Sequence, residues 1–211
     1  MPKENISASV IKRLPRYYRF LAELKKQNVL HISSRQLAEN MGLTASQIRH
    51  DLNCFGGFGQ QGYGYVVSDL YCEIGKIIGV NQCNPTILIG AGNLGKAIAS
   101  HINFDNKGFK LIGIFDSDTN LKGKKIGEFE IMHTDVLKDF CKSEKPVAAV
   151  LCIPKAAAAD MADTLIEYGI QAFWNFSHYD LKINHSDVIV ENVHLGDSIM
   201  TLSYGLNNIR K

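Results

Sequence analysis

The residues best able to do chemistry in this chain lie in two short motifs. One is Gly90-Ala91-Gly92-Asn93-Leu94-Gly95, which follows the apolar run Thr86-Ile87-Leu88-Ile89 and leads into Lys96-Ala97-Ile98-Ala99-Ser100. Between a strand and a helix, the first glycine of such a motif makes the turn. The second lets backbone N–H groups meet a pyrophosphate, and the third lets the helix pack on the strand. A second apolar run, Lys110 to Phe115, ends at Asp116. A carboxylate there accepts both hydroxyls of an adenosine ribose and repels the extra phosphate of NADP, so NAD/NADH is the predicted cofactor. A purely structural glycine turn is the plainer alternative.

The other motif is Thr44-Ala45-Ser46-Gln47-Ile48-Arg49-His50-Asp51-Leu52. A capping pattern opens it, and a similar one, Ser33-Ser34-Arg35-Gln36, opens the short apolar-faced segment that Gly42 ends. Two capped helices joined by a three-residue turn make a helix-turn-helix, whose second helix enters the major groove. Thr44, Ser46, Gln47, Arg49 and His50 are then the candidate readers of base edges. Gln suits adenine and Arg suits guanine. A plain helical hairpin would have the same spacing.

The surrounding elements should position these groups. Pro15 predicts a break, giving a helix from Ser7 to Leu14 and a second from Pro15 to Gln27. Residues 55–65 set five glycines among four aromatics, a composition that suits a β-hairpin wing over a DNA backbone. A flexible linker or a second phosphate loop remains an alternative there. Ser68 is expected to cap a connecting helix. Further α/β units follow: strands at Val147–Pro154, Ala172–Phe176 and Asp187–Asn192, and a helix from Lys155 to Tyr168. The predicted fold class is α/β: an N-terminal winged helix-turn-helix and a C-terminal Rossmann domain with a doubly wound parallel sheet. Ile153, Pro154, Asn175 and Phe176 stand at strand ends, where ligands bind in such sheets, although a loop proline or a core aromatic reads as well.

Charge is uneven. Residues 1–80 carry 10 Lys and Arg against 6 Asp and Glu, and residues 81–211 carry 13 against 15, or +4 and −2. The first part is the candidate for a polyanionic partner. The five cysteines lack CxxC spacing and are expected to be reduced core thiols. No leader or membrane-length apolar run is seen, so the expected location is the cytoplasm. The seven histidines form no HExxH or catalytic grouping, and no metal site is expected. His101 and His178 could approach a nicotinamide, but surface roles fit both, and no catalytic residue is assigned.

Taken together, several segments resemble the redox-sensing transcriptional repressors called Rex. They are Arg13-Leu14-Pro15-Arg16-Tyr17-Tyr18-Arg19, Ile32-Ser33-Ser34, Gln47 to Leu52, Phe55 to Gly59, Gly62 to Tyr65, Gly90 to Gly95, Phe115-Asp116 and Asn175-Phe176. The resemblance implies a homodimer that binds operator double-stranded DNA and is released when NADH binds. It implies a DNA-binding domain with linker helix at 1–80, an NAD(H)-binding domain at 81–193, and a C-terminal helix in 194–211 exchanged into the partner. It adds Arg13, Arg16, Ser33, Ser34, Gln61, Gly62 and Tyr63 to the DNA face, and His101 to the cofactor site. The chain departs from the family with His50 for Lys, Gln61 for Arg, His101 near a frequent Tyr, Ser177-His178 for Ala-Pro and His194 for Asp. An NAD-dependent oxidoreductase and a non-sensing nucleotide-binding module are the competing readings.

Overall fold

The computed structural model describes residues 6–59 and 63–209, and the chain divides into two compact units, Met1–Asn81 and Gln82–Lys211. The first contains α1 (Ala8–Lys26), β1 (His31–Ile32), α2 (Ser34–Met41), α3 (Ala45–Asn53), β2 (Tyr65–Val66) and α4 (Val67–Ile78).

Helix α1 runs unbroken through Pro15, against the predicted pair of helices. Pro15 cannot donate to the Ile11 carbonyl, a defect of about 3 kcal/mol in a helix interior. Val10, Leu14, Tyr17 and Leu21, however, lie on one stripe across the proline and are all at most 3% exposed. Burying each contributes roughly 1.5–3 kcal/mol, so the stripe outweighs the defect. Leu14, Tyr17 and Leu21 of the stripe pack with Ile48 and Leu52 of α3 and with Leu70 and Ile74 of α4 into one core.

Helix α4 likewise departs from expectation. It begins at Val67, not after a Ser68 cap, and the Ser68 hydroxyl instead bonds the Asp69 carboxylate. Val67 is fully buried and its N–H donates to the Leu30 carbonyl, so the chain passes from β2 into the helix with no turn for a cap to fill. β1 and β2 pair antiparallel, His31 with Val66 and Ile32 with Tyr65, which anchors the C-terminal end of the glycine-rich segment. Gly64 makes this pairing possible: its φ is +75°, and a Cβ there would stand 2.6 Å from the Ile32 carbonyl oxygen. Residues 56–59, expected in a hairpin, carry no strand.

The second unit contains β3 (Asn84–Ile89), α5 (Asn93–His101), β4 (Phe109–Asp116), β5 (Lys125–Ile126), β6 (Phe129–His133), α6 (Leu137–Glu144), β7 (Ala148–Leu151), α7 (Lys155–Glu167), β8 (Ala172–Asn175), α8 (Leu181–Asn184), β9 (Ile189–Asn192) and α9 (Leu195–Ile209). The sheet order is β5-β6-β4-β3-β7-β8-β9. All neighbours are parallel except the β5–β6 hairpin at one edge. Both faces are covered, which is why β3 reads as a continuous apolar run. Ile87 and Ile89 pack towards Leu137, Cys141, Ala162 and Leu165, while Leu88 packs towards Ile98 and Phe104. The order reverses at β3, between β4 and β7, which puts the ligand-binding position of such sheets at the carboxyl end of β3.

Candidate functional site

In the second unit, the segment between β3 and α5 shows why three glycines stand where they do. Gly90 has φ +98°, and a Cβ there would run into the Cys152 carbonyl. A Cβ on Gly95 would overlap the Gly90 carbonyl oxygen, so α5 could not lie against the turn. Gly92 differs: a Cβ would meet nothing within 4 Å. Its open side lies at the N-terminus of α5, where unpaired N–H groups and the helix dipole favour an anion.

Asp116 ends β4 beside this turn. Its Oδ2 accepts from the Ala91 N–H at 2.6 Å and its Oδ1 from the Asp118 N–H at 2.8 Å. The carboxylate therefore also braces the glycine turn, and each oxygen keeps a lone pair for a ribose hydroxyl. Gly90, Gly92, Asp116, Ile153 and Pro154 converge on one crevice of about 220 Å³ at the carboxyl ends of the strands. Whole ligand sites are typically about 300–1,000 Å³, so this volume accommodates one part of a dinucleotide. Ala91 is fully buried in the turn, and Asn93 and the partly exposed Leu94 form the first turn of α5.

Sequence reasoning missed Ser117, Thr134, Cys152, Ala157 and Met161, which complete the crevice. Thr134 follows β6, a strand that the sequence pattern did not reveal. The pKa of the Cys152 thiol is pushed up to about 12 by burial, which favours the protonated form.

Three residues expected to contact the cofactor, His101, Asn175 and Phe176, do not line this crevice. His101 ends α5, about 12 Å along the helix from Asn93. It lines another cavity with Ile102, Phe104 and Phe129 and does not line the crevice. Asn175 is fully buried and its amide is committed within the chain. Its Nδ2 donates to the Tyr179 carbonyl (2.6 Å) and to Asn192 Oδ1 (2.9 Å), and its Oδ1 accepts from the Ser177 N–H and hydroxyl. That network makes Asn175 the organiser of the loop after β8. Phe176 packs edge-on against Trp174, ring centres 4.8 Å apart.

In the first unit, α3 presents Ser46, Arg49, His50 and Asn53 along one exposed face, opposite the buried Ile48, Asp51 and Leu52. Thr44 caps the helix by accepting the Gln47 N–H at 3.1 Å. α2 has a full capping box, with Ser33 and Gln36 bonded both ways. At α3 the reciprocal bond from the Gln47 side chain is absent among the described residues, which leaves that amide to bond elsewhere. Arg49 is steadied by a 3.0 Å bond to the Ser34 hydroxyl and stays exposed. Arg16 is exposed and donates to the Met41 carbonyl at the C-terminus of α2, where a cation is favoured. Tyr63 is 77% exposed, whereas Gln61 and Gly62 lie outside the described residues.

Arg13, which the resemblance sets on the DNA face, has a partner within the chain. Its guanidinium grips the Asp51 carboxylate at 2.6 and 2.8 Å, and the Tyr17 hydroxyl donates to the same carboxylate at 2.7 Å. Asp51 is fully buried. Burial raises its pKa, but the hydrogen bonds from Arg13 and Tyr17 and the Arg13 charge outweigh this and hold it below the usual carboxylate value. The charge expected on the DNA face is thus paired with Asp51 and ties α1 to α3, while the Arg13 side chain stays 22% exposed. The cysteines are also only partly as expected. Cys141 is buried and Cys54 and Cys152 are half-buried, but Cys72 and Cys83 are exposed.

Among the described residues, no helix is long and apolar enough to cross a membrane, and no three His, Cys, Asp or Glu residues are grouped to hold a metal ion.

Two family models match: "Putative DNA-binding protein N-terminus" over residues 5–53 and "CoA binding domain" over residues 81–179. The redox-sensing transcriptional repressor Rex of Thermoanaerobacter pseudethanolicus is 55% identical over 205 residues, covering 97% of this chain and 91% of the relative. That of Clostridium novyi is 52% identical over 205 residues, 97% of each chain. The crystal structure of RSP with β-NAD+ and operator DNA aligns with a TM-score of 0.91 at 53% identity, over 99% of this chain and 95% of that one. For RSP with β-NADH the TM-score is 0.89 at 50% identity, over 99% and 97%.

Proposed function

Because the chain belongs to the Rex family of redox-sensing transcriptional repressors, we propose that it binds operator DNA through its first unit, binds NADH through its second, and leaves the DNA when NADH rises. The observation that carries this reading is the coexistence, in one chain, of an exposed capped helix and the open Gly92 face beside Asp116.

Gly90 to Gly95 receive the pyrophosphate, and Asp116 takes the ribose hydroxyls with Ser117 and Thr134 alongside. Ile153 and Pro154 close the crevice. Thr44, Ser46, Gln47, Arg49 and His50 read base edges, while Ser33, Ser34, Arg16 and Tyr63 contact the DNA backbone. The chain works in the cytoplasm as a homodimer, so that two copies of α3 address the two halves of a palindromic operator. α9 exposes Ile199, Met200, Leu202 and Tyr204 and is the segment exchanged between the copies. The units divide at about residue 81, with the C-terminal segment from 194 passing to the partner.

Oxidised nicotinamide is cationic and reduced nicotinamide is neutral, so an apolar surround favours NADH by desolvation. NADH can shift the DNA-binding equilibrium only by its differential affinity for the free and DNA-bound forms. The relatives are repressors, and we assign this chain no catalysis; the protonated Cys152 thiol offers no nucleophile. A mobility-shift assay on DNA upstream of the chain's own gene, with NAD+ and NADH added separately, tests the reading. Release by NADH supports it. Failure to bind that DNA points to a non-sensing nucleotide module, and substrate-dependent NADH turnover points to an oxidoreductase.

A further inference from the structure

The loop after β8 and the root of α9 bring together two histidines that the proposed repressor function does not use. His178 Nδ1 and His194 Nδ1 stand 3.1 Å apart, with the rings inclined at only 19° and their centres 5.1 Å apart. His178 is held in place by its neighbours. It has φ +60°, a left-handed conformation rare for a side-chain-bearing residue. The buried Asn175 amide fixes this turn by bonding Ser177 on one side of it and the Tyr179 carbonyl on the other. The same amide bonds Asn192, two residues before His194.

We propose that His178 and His194 form a two-histidine binding site for a transition-metal ion of the zinc class, which would clamp the root of α9 to the β8 loop. Two Zn–N bonds of about 2.0–2.1 Å at a tetrahedral angle set their nitrogens about 3.3 Å apart. The observed 3.1 Å is close to this spacing, and turning both rings brings their Nδ1 lone pairs onto one ion. Imidazole nitrogen selects Zn²⁺, Ni²⁺ or Cu²⁺ over the oxygen-seeking Mg²⁺ and Ca²⁺. His178 is exposed and His194 half-exposed, so water can supply the remaining ligands. Where one Nδ1 donates to the other, metal binding converts that ring to the Nε2–H tautomer, its proton moving through solvent, so no proton is lost overall.

The test uses the untagged full chain, with Zn²⁺ followed by calorimetry and by ring ¹⁵N resonances of the histidines. The expected result is one Zn²⁺ per chain, with both His178 and His194 Nδ1 resonances shifted and no response to Mg²⁺. Affinity should fall about tenfold or more in His178→Ala or His194→Ala and hold in His185→Ala, whose imidazole faces Asp163. If Zn²⁺ leaves both Nδ1 resonances unmoved, or if either variant binds as tightly as the natural chain, the pair is a hydrogen bond only and the proposal fails. The resonance measurement on the natural chain needs no variant to fold.

Discussion

Arg13→Met distinguishes a cation that holds the protein together from one that meets DNA. The Asp51 carboxylate, fully buried, accepts two bonds from Arg13 and one from Tyr17. Removing one partner of a buried ion pair typically costs about 3–5 kcal/mol, because the remaining charge is left uncompensated. The Arg13 side chain is 22% exposed and the Tyr17 bond survives, so the lower end applies, about 3 kcal/mol. For a unit of this size about 1 kcal/mol moves Tm by roughly 4–8 °C, so the first unit should melt about 12–24 °C lower. Asp51→Asn should cost less, about 1–2 kcal/mol, because it keeps an acceptor for Tyr17 while losing the charge. The pH dependence has a definite sign. Asp51 is held below its unfolded pKa, so its contribution is present above about pH 4 and is lost as pH falls through the folded value. Asp51→Asn should flatten that acid limb. The assay is thermal unfolding by circular dichroism, with NADH fluorescence reporting separately on the second unit. If Arg13→Met melts within about 2 °C of the natural chain and loses only DNA affinity, the structural role assigned here is wrong.

Other substitutions bear on the two sites. Gly92→Ala should fold with nearly unchanged Tm, since its Cβ meets nothing within 4 Å, yet weaken NADH binding about tenfold or more by occupying the pyrophosphate's approach; fluorescence titration reads this. Gln47→Ala should cost about 1–3 kcal/mol in operator affinity and relax specificity at one base pair, measured on a panel of substituted operators. Pro15→Ala should raise the Tm of the first unit, because it restores the bond to the Ile11 carbonyl within a helix that already runs through this position.

What the sequence revealed and what it hid divide along physical lines. Gly90, Gly92, Gly95 and Asp116 were legible because the steric demands of a strand–turn–helix allow few alternatives at those positions. The capped helices were legible because Ser33 and Thr44 satisfy local N–H groups, a short-range effect. Continuity of α1 through Pro15 was not legible, since the compensating stripe gains its energy from α3 and α4, which are distant in sequence. The pairing of Arg13 with Asp51 was not legible, because the partner is 38 residues away and Asp51's burial is a tertiary fact. Asn175 was hidden for the same reason: its partners Asn192 and Tyr179 meet it only when the β8 loop is built. The β5–β6 hairpin, with strands of two and five residues, was too short for a period-2 pattern to stand out.

The central claim is that one chain couples NADH binding to DNA release, and linkage makes that coupling reciprocal. If NADH weakens operator binding by some factor, saturating operator must weaken NADH binding by the same factor, with about 1.4 kcal/mol of coupling for each factor of ten. The direct measurement is the NADH dissociation constant of the full chain, by fluorescence, with and without saturating operator DNA. The account predicts weaker NADH binding on DNA, matching the loss of DNA affinity seen in the converse titration, and a much smaller effect for NAD+. An unchanged NADH affinity, with NADH and DNA bound together, would contradict it.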